Sequence, residues 1–197
     1  MSGLVRRLVG LGLPVHATAE PSRGPIGALI RQVLAGRVVG VGEGFDRSAL
    51  ALLFAADRLD HARAELVPAL RSGKWVVSDR YVLSSLAYQA LDLPQAFIAS
   101  INTLAPRPDL TFFLDVPAEI SLSRRRAQSS TRDLFEDLGT QRRVARHYAK
   151  ALEGISGIDL GPTAVVDGTR PVAEVEELLV SAIRKRFRIE PAKRRRS

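Results

Sequence analysis

Residues 110–116 read LTFFLDV, and this stretch decides the fold class. Its apolar side chains fall on consecutive positions, not alternate ones, so both faces of the strand it forms are buried. Such a strand belongs in a parallel sheet covered by helices on both faces. Working outward, Leu13 to Thr18, Trp75-Val76-Val77 and Thr163 to Val166 also read as short strands. Helical segments separate them. Leu4, Val5, Leu8, Val9 and Leu11 recur at helical spacing, and Pro25 suits the first turn of a helix buried through Ile26, Leu29, Ile30, Val33 and Leu34. Residues 36–44 are a glycine-rich loop, after which Asp46 or Ser48 caps a long helix carrying Leu50, Leu53, Phe54, Leu66 and Leu70. Ser72-Gly73 ends it. Further helices are expected over 84–90, 94–104, from Pro117 into Arg124 to Arg126, over 135–152 and over 171–186. The expectation is one α/β domain over residues 1–187, followed by a basic tail over 188–197.

Composition narrows the classes of function. The 197 residues contain no Cys, which excludes disulfides and thiolate metal sites. His16, His61 and His147 have no metal-ligand spacing, so no metal ligand is assigned. No apolar run approaches the ~20 residues of a membrane span, and Met1 to Leu13 lacks the features of a signal peptide, so a cytoplasmic protein is expected. The formal charge of +8 is concentrated in the basic stretch from Arg184 to Arg196, and the body is close to neutral without it. That tail reads as a solvated terminus, with nonspecific attraction to nucleic acid as the other reading.

In an open parallel sheet, ligands bind in the crevice beyond the carboxyl ends of the strands. Here those ends carry Glu20, Asp79-Arg80 and Asp115. An acid beside a cation at a strand end suits phosphate and magnesium chemistry, because the carboxylate holds the ion or its waters while the guanidinium forks onto phosphate oxygens. Taken singly, each is equally a helix cap or a salt bridge. Taken together they point to a phosphate site.

At this level the sequence resembles a known family. SDRYVLSSLAYQ (78–89) resembles the Asp-Arg-Tyr segment of thymidylate kinases and the helix after it. LLFAADR (52–58) is similar to their Phe-to-Arg nucleobase helix, EPSRGPIGALIR (20–31) to their Glu-Pro loop, and RPDLTFFLDVPAE (107–119) to their fourth strand and turn. The resemblance runs from Ser2 to about Val180. It implies a P-loop-kinase-like fold and transfer of the ATP γ-phosphoryl group, with magnesium, to dTMP, giving dTDP for dTTP synthesis. It also implies a homodimer.

Carried onto this chain, the resemblance has Phe54 stack on thymine while Arg58, one turn later on the same helix face, donates to a base carbonyl. Arg80 grips the acceptor phosphate and Asp79 orders the metal-water network. Glu20 belongs to the substrate loop, and Ser84, Ser85, Tyr88 and Gln89 contact base and sugar. Arg124, Arg126 and Arg132 form a lid over the transferring phosphoryl group, where arginines offset developing charge. Asp167 and Gly168 lie beside adenine. Two local departures are Ala19, where the family often has Arg, and the order Arg-Asp-Leu-Phe-Glu at 132–136 in place of Asp-Arg-aromatic-Glu.

The larger departure is the phosphate loop. No GxxxxGK[ST] motif occurs in residues 1–197, and Gly40 to Gly44 has no Lys. Met1 to Leu11 resembles the helix that follows that loop in the family. The first strand and its loop are therefore expected to be missing from the chain as given, with activity doubtful without them. The alternatives are an inactive, truncated relative that binds dTMP or a protein partner, a kinase for another monophosphate, or a basic nucleic-acid-binding protein on this scaffold.

Overall fold

Parallel strands cannot be joined by a tight turn, so each pair in this chain is separated by helices. The structure is a computed structural model describing residues 1–40, 44–128, 137–154 and 157–190, the side chains of 125–128 excepted. Its elements run α1 (Ser2–Gly10), β1 (Val15–Ala19), α2 (Pro25–Leu34), α3 (Arg47–His61), a π turn (Ala62–Leu66), α4 (Val67–Arg71) and β2 (Trp75–Asp79). Then follow α5 (Val82–Tyr88), a 3-10 turn (Gln89–Leu91), α6 (Gln95–Ile101), β3 (Thr111–Asp115), α7 (Ala118–Gln128), α8 (Leu138–Leu152), β4 (Thr163–Asp167) and α9 (Val172–Phe187).

The expected parallel α/β class is borne out. β1 pairs with β2, Val15 opposite Trp75 and Ala19 opposite Asp79. β3 pairs with β4, Thr111 opposite Thr163 and Asp115 opposite Asp167. Among the described residues the strands form two separate two-stranded sheets, because no described strand bonds to both pairs.

Neighbouring phenylalanines show how LTFFLDV works. Phe112 packs with Val15, Trp75 and Val77 against Leu4 and Leu8 of α1 and Leu179, Val180 and Ile183 of α9. Phe113 points to the other face and packs with Leu83 and Leu86 of α5, Ile98 of α6 and Ala151 of α8. Both faces are thus covered by helices, although not to the edge: Leu114 stays 46% exposed and Val165 60% exposed. A third cluster joins Ile30 and Val33 of α2 to Leu50 of α3, with Phe54 against it.

The long helix begins where Asp46 accepts a hydrogen bond from the Ala49 backbone N–H at 2.8 Å. It runs on to Arg71, with the π turn inserted just before Pro68. Proline has no N–H to give the preceding turn, and a widened turn accommodates that loss. The helix expected over 135–152 starts within the described residues at Leu138, because Asp137 caps it by accepting from Thr140 N–H at 2.8 Å.

Candidate acceptor site at the carboxyl ends of β1 and β2

α3 buries the stripe Leu50, Ala51, Ala55, Arg58 and His61, so Arg58 points inward by the periodicity that buries its apolar neighbours. A buried guanidinium needs partners on all sides. Arg58 Nε donates to Glu20 Oε2 at 2.9 Å, Nη2 donates to Ser85 Oγ at 3.0 Å, and Nη1 donates to Asn102 Oδ1. The ring of Tyr81 lies 5.2 Å from the guanidinium carbon. Burial and the charge of Glu20 push the Tyr81 phenol up to about 12, so it stays neutral. Nη2 also lies 2.7 Å from Glu20 Oε2, so of the five N–H donors of the guanidinium only the second one on Nη1 is left without a named partner.

Glu20 is held from both sides. Its N–H donates to Asp79 C=O at 3.0 Å, extending the β1–β2 ladder by one bond. His61 Nδ1 lies 3.4 Å from its second carboxylate oxygen. With one oxygen engaged by Arg58 and the other facing His61, Glu20 is an anchor for Arg58 and not an open metal ligand. The loop after it is clamped to α3, because Ser22 N–H and Oγ donate to the two oxygens of Asp57 at 2.7 and 2.6 Å. Arg31 reaches back from α2 to the carbonyls of Pro21 and Ser22 at 3.0 and 2.5 Å. Gly27 permits this approach, since a Cβ there would stand 2.1 Å from the Ser22 carbonyl oxygen.

A second group stands where β2 ends. Arg80 adopts φ 69°, a left-handed conformation that costs a non-glycine residue about 1–2 kcal/mol. Its guanidinium lies over the Tyr88 ring, 4.9 Å from the centroid. Ser84 Oγ and Tyr148 Oη are 3.0 Å apart, and the Tyr88 and Tyr148 rings meet edge to face. Asp79 is exposed at the strand end and Gln89 is buried in the turn after α5.

The third group lies at the end of β4. Arg124 of α7 donates to the Gly168 and Thr169 carbonyls at 2.6 and 3.2 Å. Asp167 accepts from Thr169 N–H at 2.9 Å and from Thr169 Oγ1 at 2.5 Å, and these bonds hold its carboxyl below the usual range. The Arg126 side chain and Arg132 lie outside the described residues. Among the described residues there is no cluster of His, Cys, Asp or Glu able to hold a metal ion.

The structure therefore brings Glu20, Arg58 and Ser85 into contact, and sets Arg80, Ser84 and Tyr88 beside Tyr148. It joins Arg124 to Gly168. Phe54 stands apart from these contacts, packed toward α2. Sequence reading missed Asn102 and His61. Asn102 had no local signal, being 44 positions from Arg58. His61 had one, since it follows Arg58 by one helical turn.

The sequence model of the family described as thymidylate kinase matches residues 1–178, which include all three groups. The chain belongs to the thymidylate kinase family. A probable thymidylate kinase of Pyrococcus abyssi is 37% identical over 174 residues, covering 88% of this chain and 82% of that one. One from Pyrobaculum calidifontis is 41% identical over 181 residues, covering 89% and 86%. A thymidylate kinase of Sulfurihydrogenibium sp. is 33% identical over 184 residues, covering 91% and 86%. No helix among the described residues is long and apolar enough to cross a membrane.

Proposed function

We propose that the chain binds dTMP beyond the carboxyl ends of β1 and β2 as the acceptor for the ATP γ-phosphoryl group, giving dTDP on the route to dTTP. The observation that carries this reading is the buried Arg58, fixed by Glu20, Ser85 and Asn102 with one N–H of Nη1 to spare. That donor meets a thymine carbonyl, and Phe54, one turn earlier on α3 and only partly buried against α2, turns its free ring face to the base. Arg80, raised into a left-handed turn at the end of β2, takes the acceptor phosphate, and Asp79 orders the waters of the magnesium that arrives with ATP. Ser84, Ser85, Tyr88 and Gln89 contact base and sugar.

On the donor side, Arg124 braces the loop of Asp167 and Gly168, which we place beside adenine. Arg124, Arg126 and Arg132 would offset charge on the transferring group. No residue of 1–197 is assigned to cradle the β- and γ-phosphates, since no GxxxxGK[ST] motif is present. The acceptor side is thus the part of the reading that these residues support directly. For a homodimer, the support is Leu52, Leu59 and Leu70, which lie exposed along the α3–α4 helix.

The test is calorimetric titration with dTMP, dUMP, dCMP and dGMP, followed by assay of dTDP formation from ATP and magnesium. Preferential binding of dTMP is expected. Equal binding of all four monophosphates, or of none, would remove the acceptor reading.

A further inference from the structure

One buried group near Arg58 has no part in the reading above. His61 is 2% exposed, one turn beyond Arg58 on α3, and its ring lies between two carboxylates. Nδ1 is 3.4 Å from Glu20 Oε1, and Nε2 is 3.3 Å from Glu65 Oε2 and 2.8 Å from Thr18 Oγ1. Glu65, from the π turn, also meets His16 Nε2 at 2.7 Å. A neutral imidazole carries one N–H, and the shorter contacts of this ring are at Nε2, 2.8 Å from Thr18 Oγ1 and 3.3 Å from Glu65 Oε2, so the neutral ring keeps its proton there and turns the Nδ1 lone pair to Glu20. An imidazolium offers a donor to both.

We propose that His61, in its protonated form, is a positioning residue for nucleobase binding: it holds one oxygen of Glu20 so that the other stays fixed on Arg58 Nε. The proposal rests on the acceptor reading, because Arg58 is the group that meets the base. Glu20 is gripped at both oxygens only while His61 is charged. When the ring loses its proton, the carboxylate is free to turn about its last torsion. Arg58 then keeps Ser85, Asn102 and the Oε2 end of Glu20, but that carboxylate is held at one oxygen only, and the donor aimed at the base loses preorganisation.

The charged and titratable groups facing His61 come from each neighbouring element. α3 supplies Asp57 and Arg58, the π turn Glu65, and β1 and its extension His16 and Glu20, with Tyr81 across the guanidinium. Burial works against the charged ring, yet the hydrogen bond to Glu20 and the charges of Glu20, Glu65 and Asp57 raise its pKa above the ordinary 6.5. Affinity for the base is therefore full at and below that ordinary value, and falls as the pH rises through the raised one.

The experiment measures dTMP binding by calorimetry from about pH 6 to about pH 9, alongside NMR titration of the His61 ring. Thymidine serves as a second probe, free of the phosphate's own titration near pH ~6. For both probes, affinity is expected to fall about tenfold with the midpoint of the His61 titration. Glu65→Gln removes one anion from beside the ring without touching Glu20 or Arg58, so it should move the NMR and binding midpoints together to lower pH. His61→Gln should bind weakly at every pH with a flat profile. Thymidine and dTMP binding that stays level while His61 titrates, or a binding midpoint that Glu65→Gln leaves in place, overturns the proposal alone. Absence of dTMP binding at every pH overturns the acceptor reading, and this one with it.

Discussion

Arg58 Nε donates to Glu20 Oε2 across 2.9 Å, with the two side chains only 2% and 3% exposed. A buried ion pair adds little net stability by itself, because desolvation of two charges offsets their attraction. It does constrain what each partner can become. Either charge left alone is costly, so the pair keeps a guanidinium inside the protein where a lone one would not stay.

Glu20→Gln should therefore destabilise the fold by about 3–5 kcal/mol, as removal of one partner from a buried pair does. Glu20→Gln with Arg58→Met, which removes both charges, should recover most of that loss. Urea unfolding of the single and double variants checks it. A single variant within about 1 kcal/mol of the parent would mean that water reaches Arg58 and takes the place of the carboxylate.

Gly27 offers a sign test. In an ordinary helix, replacing glycine with alanine stabilises by roughly 0.5–1 kcal/mol. Here the added Cβ would stand 2.1 Å from the Ser22 carbonyl oxygen and 2.7 Å from its nitrogen, so the clamped loop must move. Gly27→Ala is expected to destabilise by about 1–3 kcal/mol and to weaken dTMP binding through the displaced Glu20 loop. Thermal unfolding decides the sign, and a rise in Tm would show that the loop gives way without strain.

These two sites also show what the sequence made legible. The apolar run Phe112-Phe113 reads directly as a strand buried on both faces, because alternation of side chains depends on the strand alone. The Asp46 cap is equally local, since its partner is Ala49. The α3 stripe was read from Leu50, Leu53 and Phe54, but Arg58 on that stripe read only as a base donor. Its burial depends on Glu20, Ser85 and Asn102, which come from three other segments and follow no period. The π turn escaped as well, although Pro68 inside a long helix was a visible cause for it. Division of the strands into two pairs depends on which edges bond, and apolar character alone does not specify that.

Arg80 separates strain from function. Its φ of 69° costs any residue with a Cβ, so Arg80→Gly should be more stable than Arg80→Ala by about 1 kcal/mol. Both variants should lose about 1.5–3 kcal/mol of dTMP affinity while binding thymidine normally, because the lost group meets the phosphate. Parallel calorimetry with dTMP and thymidine makes the comparison. Equal losses for the two ligands would place Arg80 at the base or in the fold and not at the phosphate.

Stability should depend on pH with opposite histidines on its two flanks. His61 has a raised pKa, so its stabilisation is complete below the ordinary 6.5 and is lost as the pH rises through the folded value above it. His147 has a lowered pKa, because burial and the charges of Lys150, Arg143 and Arg146 disfavour its charged form. Stability therefore falls as the pH drops from 6.5 through that lower value, where the unfolded chain takes up the proton first. Glu65 adds to the acid flank further down. Burial opposes its charge, but His16, Thr18 and His61 lower its pKa from 4.5, so its contribution is present above 4.5 and lost as the pH falls through the folded value. These three groups place a stability maximum near pH 6.5. Urea midpoints across the range, for the parent and for His61→Gln and His147→Gln, assign the flanks. His61→Gln should flatten the alkaline side and shrink the Glu65 contribution at low pH, and His147→Gln should flatten the upper acid side. An alkaline decline that survives unchanged in His61→Gln would show that the proton is lost elsewhere, and that the ring between Glu20 and Glu65 is neutral in the folded protein.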